Sequence, residues 1–164
     1  MVSVSVLGIV LAMELREPGI MRRKPRNPDA AILSGELIWR VVLVGALILI
    51  GAFGLFEYEL VTGATLDQAR TVAVNAVIMI AIFYLLNCRS LTRPIHHLGF
   101  FSNPWIWGGV LVMTALQIVY TYVPFLNRVF GSHPMSVVDW AFVLGFSFVI
   151  SLVVAAEKTI RFRR

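Results

Sequence analysis

The chain has 164 residues, of which 59% are apolar and 14% are charged, and its formal net charge is +5. Soluble globular domains carry about 25% charged residues, and a soluble domain of this size could not bury so much apolar surface. A pI near 10 would indicate nucleic-acid binding in a soluble protein. Here the basic residues lie in short segments between apolar runs, which favours membrane orientation and no nucleic-acid partner. Cys88 is the single cysteine, which excludes an intrachain disulfide.

The first apolar segment, residues 1–13, is too short to cross a bilayer, because a spanning helix needs about 20 residues. No basic segment precedes it, and Glu14 and Glu17 follow it, which argues against a cleaved signal peptide. We therefore expect the second half of a helix whose beginning is missing. Residues 14–36, which contain three prolines, are predicted to form a polar loop.

Four further apolar segments are long enough to cross a bilayer; they are residues 37–56, 68–88, 104–123 and 137–156. The connections at 57–67 and 124–135 are predicted to be turns, and residues 157–164 a basic tail. The predicted fold class is therefore all-α: an integral membrane helical bundle with four full transmembrane helices and a partial N-terminal one. The lipid bilayer is its first expected partner.

Polar residues mark the starts of three of these helices. Thr65 and Gln68 have the spacing of a capping box, as do Ser136 and Asp139. Asn103 precedes Pro104, and asparagine favours the N-cap position while proline favours the first helical turn. These signals predict helix starts just after Thr65, Asn103 and Ser136.

Lys and Arg are concentrated in alternate connections. Residues 14–36 hold five, the loop after Cys88 holds two and residues 157–164 hold four. The other two connections, counted up to the apolar body of the next helix, hold only Arg70 and Arg128. This is the positive-inside pattern. It predicts a multi-pass protein, in the plasma membrane of a prokaryote, with residues 14–36, the loop after Cys88 and the C-terminus in the cytoplasm.

No charged residue lies near the centre of the four spans, where a charge costs about 3 kcal/mol or more, so no proton relay or voltage sensor is indicated. The polar residues within the spans are expected to form interhelical hydrogen bonds; they are Asn75, Thr114, Gln117, Ser147 and Ser151. Asn75 is also a candidate for the ion path, because its amide oxygen could face a cation. His96 and His97 are adjacent, about 100° apart if helical, and are interpreted as loop residues.

Small residues spaced by four are predicted to let helix backbones approach closely; the pairs are Ala69 and Ala73, Ala141 and Gly145, and Ser147 and Ser151. Gly51 and Gly54 are predicted to thin the second half of their span. We find no phosphate-binding glycine loop, nucleophile elbow or metal motif. The sequence therefore predicts no catalytic, cofactor-binding or metal-binding residue.

Four segments, in order and at matching spacing, resemble the C-terminal region of P-type cation-transporting ATPases. Leu11–Arg26 (LAMELREPGIMRRKPR) resembles the loop after the sixth helix of that family, and Leu86–Ser90 (LNCRS) the end of its eighth helix. Phe101–Trp105 (FSNPW) resembles the start of the ninth helix. Tyr122–Gly131 (YVPFLNRVFG), followed by Pro134, Met135, Ser136, Asp139 and Trp140, resembles the last outer turn and the start of the tenth.

The resemblance implies that the chain runs from late in the sixth helix to the end of the tenth. The phosphorylated aspartate and the nucleotide-binding domain would precede it, so ATP and Mg would bind domains that this chain lacks. Ser3 stands at the position of a threonine ligand in calcium-pump-like members, which makes it a second candidate for the ion path. Val4 and Ala81 stand at two oxygen-ligand positions, and a calcium ion takes six or more oxygens. The transported ion is therefore left open.

Three hypotheses follow. The first is a membrane-embedded C-terminal segment of a P-type cation pump that supports the ion-translocation helices, does not hydrolyse ATP alone, and has the N-terminal part of the pump as its partner. The second is a free-standing small membrane protein that serves as an assembly or regulatory subunit of a transporter. The third, a small channel or carrier, ranks last because the spans lack charged or strongly polar clusters near the membrane centre.

Overall fold

The computed structural model describes residues 2–13, 35–88 and 103–162. Several sequence predictions fall outside this part of the chain. They are the loop at 14–34, the segment with Arg89, Arg93, His96 and His97, and the last two residues of the tail. The side chains of residues 2–4, which include Ser3, are also outside the description.

The described residues form six helices and no strand, which confirms the all-α prediction. The helices are α1 Val2–Ala12, α2 Gly35–Val61, α3 Leu66–Cys88, α4 Pro104–Tyr122, α5 Pro124–Phe130 and α6 Val137–Phe162. Four of them, α2, α3, α4 and α6, are long and apolar enough to cross a membrane. With 11 residues, α1 is about 17 Å long at 1.5 Å per residue, against a hydrocarbon core of about 30 Å. The four predicted spans are thus confirmed, together with a shorter apolar helix.

The capping residues predicted before α3 and α6 form the expected hydrogen bonds. The Gln68 side chain accepts a hydrogen bond from the Thr65 backbone N–H at 2.9 Å, and the Thr65 hydroxyl accepts one from the Gln68 N–H at 3.3 Å. Ser136 and Asp139 form the same reciprocal pair before α6. These side chains satisfy backbone donors that have no partner inside the first helical turn.

Two helices continue past the ends of the predicted spans, α2 beyond residue 56 and α6 beyond residue 156. Helix α2 extends to Val61, so the first five of the eleven residues in the predicted 57–67 turn are helical. Its last turn is stabilised by packing, since the Tyr58 ring lies 5.1 Å from that of Phe142 in α6. Likewise α6 continues to Phe162, so most of the predicted 157–164 tail is helical.

The predicted turn at 124–135 contains a helix, α5, that the sequence analysis missed. Pro124 occupies its first turn, where the missing N–H of proline costs nothing. Gly131 ends it in the left-handed conformation, with φ of 62°, which glycine adopts without steric penalty. Helix α5 therefore turns the chain between α4 and α6 as a compact unit.

Helix α3 lies at the centre of the bundle. Half of the 18-residue apolar stretch of α3 is buried within the chain, against 11% of the corresponding stretch of α2. It packs most extensively against α2 and α6 and less against α4, while α1 lies against α3 and α4. Buried apolar side chains from α1, α2, α3, α4 and α6 form one continuous core around it. Thr71, Asn75 and Asn87 of α3 are consequently among the polar residues that protein encloses.

Candidate functional site

The first polar cluster lies between α3 and α4 around Asn75, which has no exposed surface. The Asn75 Nδ2 group donates to the Thr71 carbonyl at 2.9 Å and to the Thr121 hydroxyl of α4 at 3.1 Å. The Thr121 hydroxyl in turn donates to the Gln117 carbonyl at 2.8 Å. Asn75 therefore forms the interhelical hydrogen bond expected from the sequence, and its oxygen is left over for another partner.

The same cluster reaches the loop between α5 and α6. The Thr71 hydroxyl donates to the Asp67 carbonyl at 2.7 Å and accepts from the His133 backbone N–H at 2.9 Å. Gln117, one helical turn from Thr121, is only 4% exposed. The sequence named Asn75 and Gln117 separately, and the structure brings them to one interface together with Thr71 and Thr121.

The second polar cluster joins the other end of α3 to α6. The Asn87 Nδ2 group donates to the Ser151 hydroxyl at 2.8 Å and to the Ser151 carbonyl at 3.2 Å. The Lys158 ammonium group, whose residue is 8% exposed, donates to the Asn87 carbonyl at 3.2 Å. Because that carbonyl belongs to the last turn of α3, Lys158 serves as a C-terminal cap supplied by another helix. The sequence analysis missed this role by placing Lys158 in the tail.

A third junction attaches α1 to α4. Asn103 accepts from the Trp105 N–H at 3.0 Å as the predicted cap, and its Nδ2 group donates to the Met13 carbonyl at 3.1 Å. Further along, Gly109 faces Val10 so closely that a Cβ at Gly109 would overlap both Val10 methyl groups. The end of α1 is therefore held by the hydrogen bond from Asn103 and by packing of the Val10 side chain against Gly109.

The remaining predicted site residues lie in different surroundings. Ser3 belongs to α1, but only its backbone is described. Ala69 is fully buried and Ala73 half-buried, whereas Ala141 and Gly145 are exposed. Ser147 is buried and donates to the Val143 carbonyl of its own helix at 2.6 Å. The ion-path and close-approach roles of these residues stay predictions.

The described residues contain no group of three or more His, Cys, Asp and Glu placed to hold a metal ion. An apolar cleft of about 530 Å³ lies between α3, α4 and α6. Its lining contains no carboxylate, histidine or basic group, and includes Met79, Phe83, Leu86, Trp107 and Trp140. The described part offers amides, hydroxyls, the buried ammonium group of Lys158, the buried carboxyl group of Glu59 and a buried carboxyl oxygen of Glu157.

Comparison with known proteins places these features in a family. The family model for the C-terminus of cation-transporting ATPases matches residues 1–160. The chain is 41% identical over 157 residues to the probable cation-transporting ATPase F of Mycobacterium tuberculosis H37Rv, which covers 96% of this chain and 17% of the relative. It is 33% identical over 152 residues to the cation-transporting ATPase pma1 of Synechocystis, covering 88% of this chain and 17% of the relative.

A third relative is the calcium-transporting ATPase 1 of Bacillus cereus, 31% identical over 163 residues, with 90% of this chain and 18% of the relative covered. The chain thus spans less than a fifth of the length of these relatives. The four apolar helices and the family match agree on a multi-pass membrane protein. The chain belongs to the cation-transporting P-type ATPase family and matches its C-terminal membrane domain.

Proposed function

We propose that this chain works as the C-terminal membrane domain of a P-type cation pump, packing against and supporting the helices that move the ion. The observation that carries the proposal is the family match over residues 1–160. The parent pump is the proposed partner, and its remaining membrane helices would cover part of the apolar surface that this chain exposes. Lipid would cover the rest.

The packing of α1 supports this proposal. One face of α1 is held against α3 and α4 through Leu7, which is 7% exposed, and through the contact of Val10 with Gly109. The opposite face is free within this chain, with Ile9 at 62% exposure. A short apolar helix fixed on one side and open on the other suits a place between this domain and the neighbouring helices of a larger bundle.

The energy-converting chemistry is assigned to the rest of the pump. ATP and Mg would bind domains outside this chain, where the phosphorylated aspartate would also lie, so this chain alone would not hydrolyse ATP. The ion ligands would come mainly from other helices, with Ser3 as the residue of this chain proposed to line the path. The proposed location is the plasma membrane of a prokaryote, with the C-terminus in the cytoplasm.

A chimeric pump tests the supporting role. Residues 1–160 of this chain would replace the matching region of the Mycobacterium tuberculosis relative, and cation-stimulated ATP hydrolysis would be measured in membranes. We expect activity in the chimera and none in a relative truncated before that region. A chimera that is inserted and folded but as inactive as the truncated pump would contradict the proposal.

The isolated chain provides a second test. We expect no phosphoenzyme when the purified 164-residue chain is incubated with radiolabelled ATP and Mg, whereas the chimera is labelled. Labelling of the chain alone would overturn the assignment of the chemistry.

A fluorescent protein that folds only in the cytoplasm, fused after Arg164, tests the orientation of the chain in the membrane. Absence of fluorescence in the inserted fusion would contradict a cytoplasmic C-terminus.

A further inference from the structure

The interface of α3 and α4 contains two buried side-chain atoms that have no hydrogen-bond partner within the described parts of the chain. They are Asn75 Oδ1 and Gln117 Nε2. Their residues are 0% and 4% exposed. Asn75 is nine residues from the start of α3, about 14 Å along the helix axis, so it lies well inside the span.

Leaving both atoms unpaired would be costly. A buried polar group without a hydrogen-bond partner destabilises a protein, and it does so more strongly where the surroundings are hydrocarbon. One of the two atoms is an acceptor and the other is a donor. A water molecule that bridged the two atoms would donate to Asn75 Oδ1 and accept from Gln117 Nε2.

The hydrogen bonds around Asn75 argue against a cation in this place. Its Nδ2 group is committed to Thr71 and Thr121, which fixes the orientation of the amide. Both threonine hydroxyls already donate and accept one hydrogen bond each. A hard cation takes six or more oxygen ligands, whereas the two side-chain amides of this interface offer at most two, Asn75 Oδ1 and Gln117 Oε1.

Burial also argues against a side chain from another helix as the partner. Asn75, Thr71 and Thr121 are fully buried within this chain by itself. A helix added from outside would meet the exposed surface of α3 and α4 and could not reach Asn75 without separating them. The partner must therefore be small enough to lie inside the interface.

We propose that Asn75 and Gln117 bind internal water between α3 and α4, as a neutral hydration site and not as an ion site. Thr71 links this site to the backbone of His133 in the loop between α5 and α6. The proposal does not depend on the proposed function, because it rests on the contacts within this chain. It also changes the role of Asn75 from a cation ligand to a water ligand.

Solid-state NMR of the full 164-residue chain in bilayers of deuterated lipid tests the proposal. The measurement is magnetisation transfer from water protons to the side-chain amide of Gln117. We expect clear transfer in the original chain and its loss in Asn75→Val, which removes the acceptor. Asn87→Val is the matched control, because it makes the same change on the same helix at the α6 junction and should leave transfer to Gln117 unchanged.

A second variant guards against misfolding of Asn75→Val. Gln117→Met removes the donor and leaves the hydrogen bonds of Asn75 in place, so transfer from water to the Asn75 amide should fall. No transfer in the original chain, or equal transfer in all variants, would overturn the proposal. A direct contact between the two amides without water transfer would overturn it as well.

The choice between water and an ion is tested by thermal unfolding of the same chain in NaCl, KCl, CaCl₂ and choline chloride at equal ionic strength. We expect the same midpoint in all four salts. A rise in midpoint with one metal cation, absent in Asn75→Val, would overturn the hydration site in favour of a cation site.

Discussion

The two sides of α3 are joined to their neighbours in different ways. On the side of α2 and α6, packing is extensive, and Asn87 is bonded to Ser151 and has its carbonyl capped by Lys158. On the side of α4, direct packing is sparser and the interface includes the orphaned atoms of Asn75 and Gln117. The same residue type, asparagine, thus completes one junction and leaves the other in need of a further partner.

This difference shows that burial alone does not reveal what a polar residue does in a membrane. Asn75 and Asn87 lie on one helix and are both under 10% exposed. What separates them is the set of donors and acceptors contributed by the opposing helix. On the α4 side of α3, α4 is held instead by α1, which contacts it at Asn103 and Gly109. The stability of this side therefore depends on packing against α1, which the α6 side does not need.

The largest effect is expected at the contact of α1 with α4. In Gly109→Ala the new Cβ would overlap the branched side chain of Val10, which is fixed close to its own backbone and cannot swing away. Overpacking of this kind costs about 2 kcal/mol. We expect that loss in the free energy of unfolding, measured by titration of mixed micelles with denaturing detergent.

Gly108→Ala is the matched control, since no atom lies within 4 Å of a Cβ at Gly108. The double variant Val10→Ala/Gly109→Ala should recover most of the loss, because alanine at position 10 removes the methyl groups in question. Equal stability of the two glycine variants would show that α1 does not hold the α4 side.

The next effect concerns Lys158. In Lys158→Met the cap on the Asn87 carbonyl is lost while the apolar stem of the side chain is largely kept. Hydrogen bonds of charged groups contribute about 1.5 kcal/mol or more, so we expect a loss near the lower value in the same titration.

Arg70→Met is the control for removing a positive charge, because Arg70 is exposed and its 3.7 Å contact with Asp67 is a surface ion pair worth little. If Lys158→Met and Arg70→Met lower the free energy of unfolding equally, the loss comes from the change in net charge. The cap by Lys158 would then not explain a difference between the α6 side and the α4 side.

The two asparagine junctions can be compared directly by double-mutant cycles. One cycle combines Asn87→Val with Ser151→Ala, and the other combines Asn75→Val with Thr121→Val. Interhelical hydrogen bonds in membranes average about 0.6 kcal/mol. We expect this coupling or more for the first pair, whose amide and hydroxyl are 2.8 Å apart, and less for the second at 3.1 Å. A larger coupling in the second cycle would reverse the comparison.

The spans and helix starts could be predicted because they depend on local sequence. Apolar length defines a spanning helix, and Thr65, Asn103 and Ser136 satisfy backbone donors within one turn of their own positions. Helix α5 had local signals too, in Pro124 and Gly131, but the segment was interpreted as a turn because it is only seven residues long.

The polar clusters could not be predicted because they depend on how helices rotate and align against each other. Asn75 and Thr121 are 46 residues apart in sequence, and Lys158 lies 71 residues from Asn87. A charge just past an apolar segment is normally assigned to a solvated tail, so only the position of α3 shows that Lys158 has a carbonyl to bind.

Glycine spacing in the sequence also could not show which glycines pack closely against a neighbouring helix. Gly51 is an example, and its substitution has the smallest expected effect on stability. The sequence treats Gly51 and Gly54 alike, but a Cβ at Gly51 would lie 2.9 Å from the terminal methyl groups of Ile80 and Ile150, whereas at Gly54 it would meet nothing within 4 Å. Side-chain tips can rotate away, and alanine favours the helix over glycine by up to about 1 kcal/mol. We therefore expect Gly51→Ala to be less stable than Gly54→Ala by only about 0.5 kcal/mol, toward the low end of overpacking costs. A loss as large as that of Gly109→Ala would mean that both sides of α3 are packed equally rigidly, and the distinction between them would then rest on their hydrogen bonds alone.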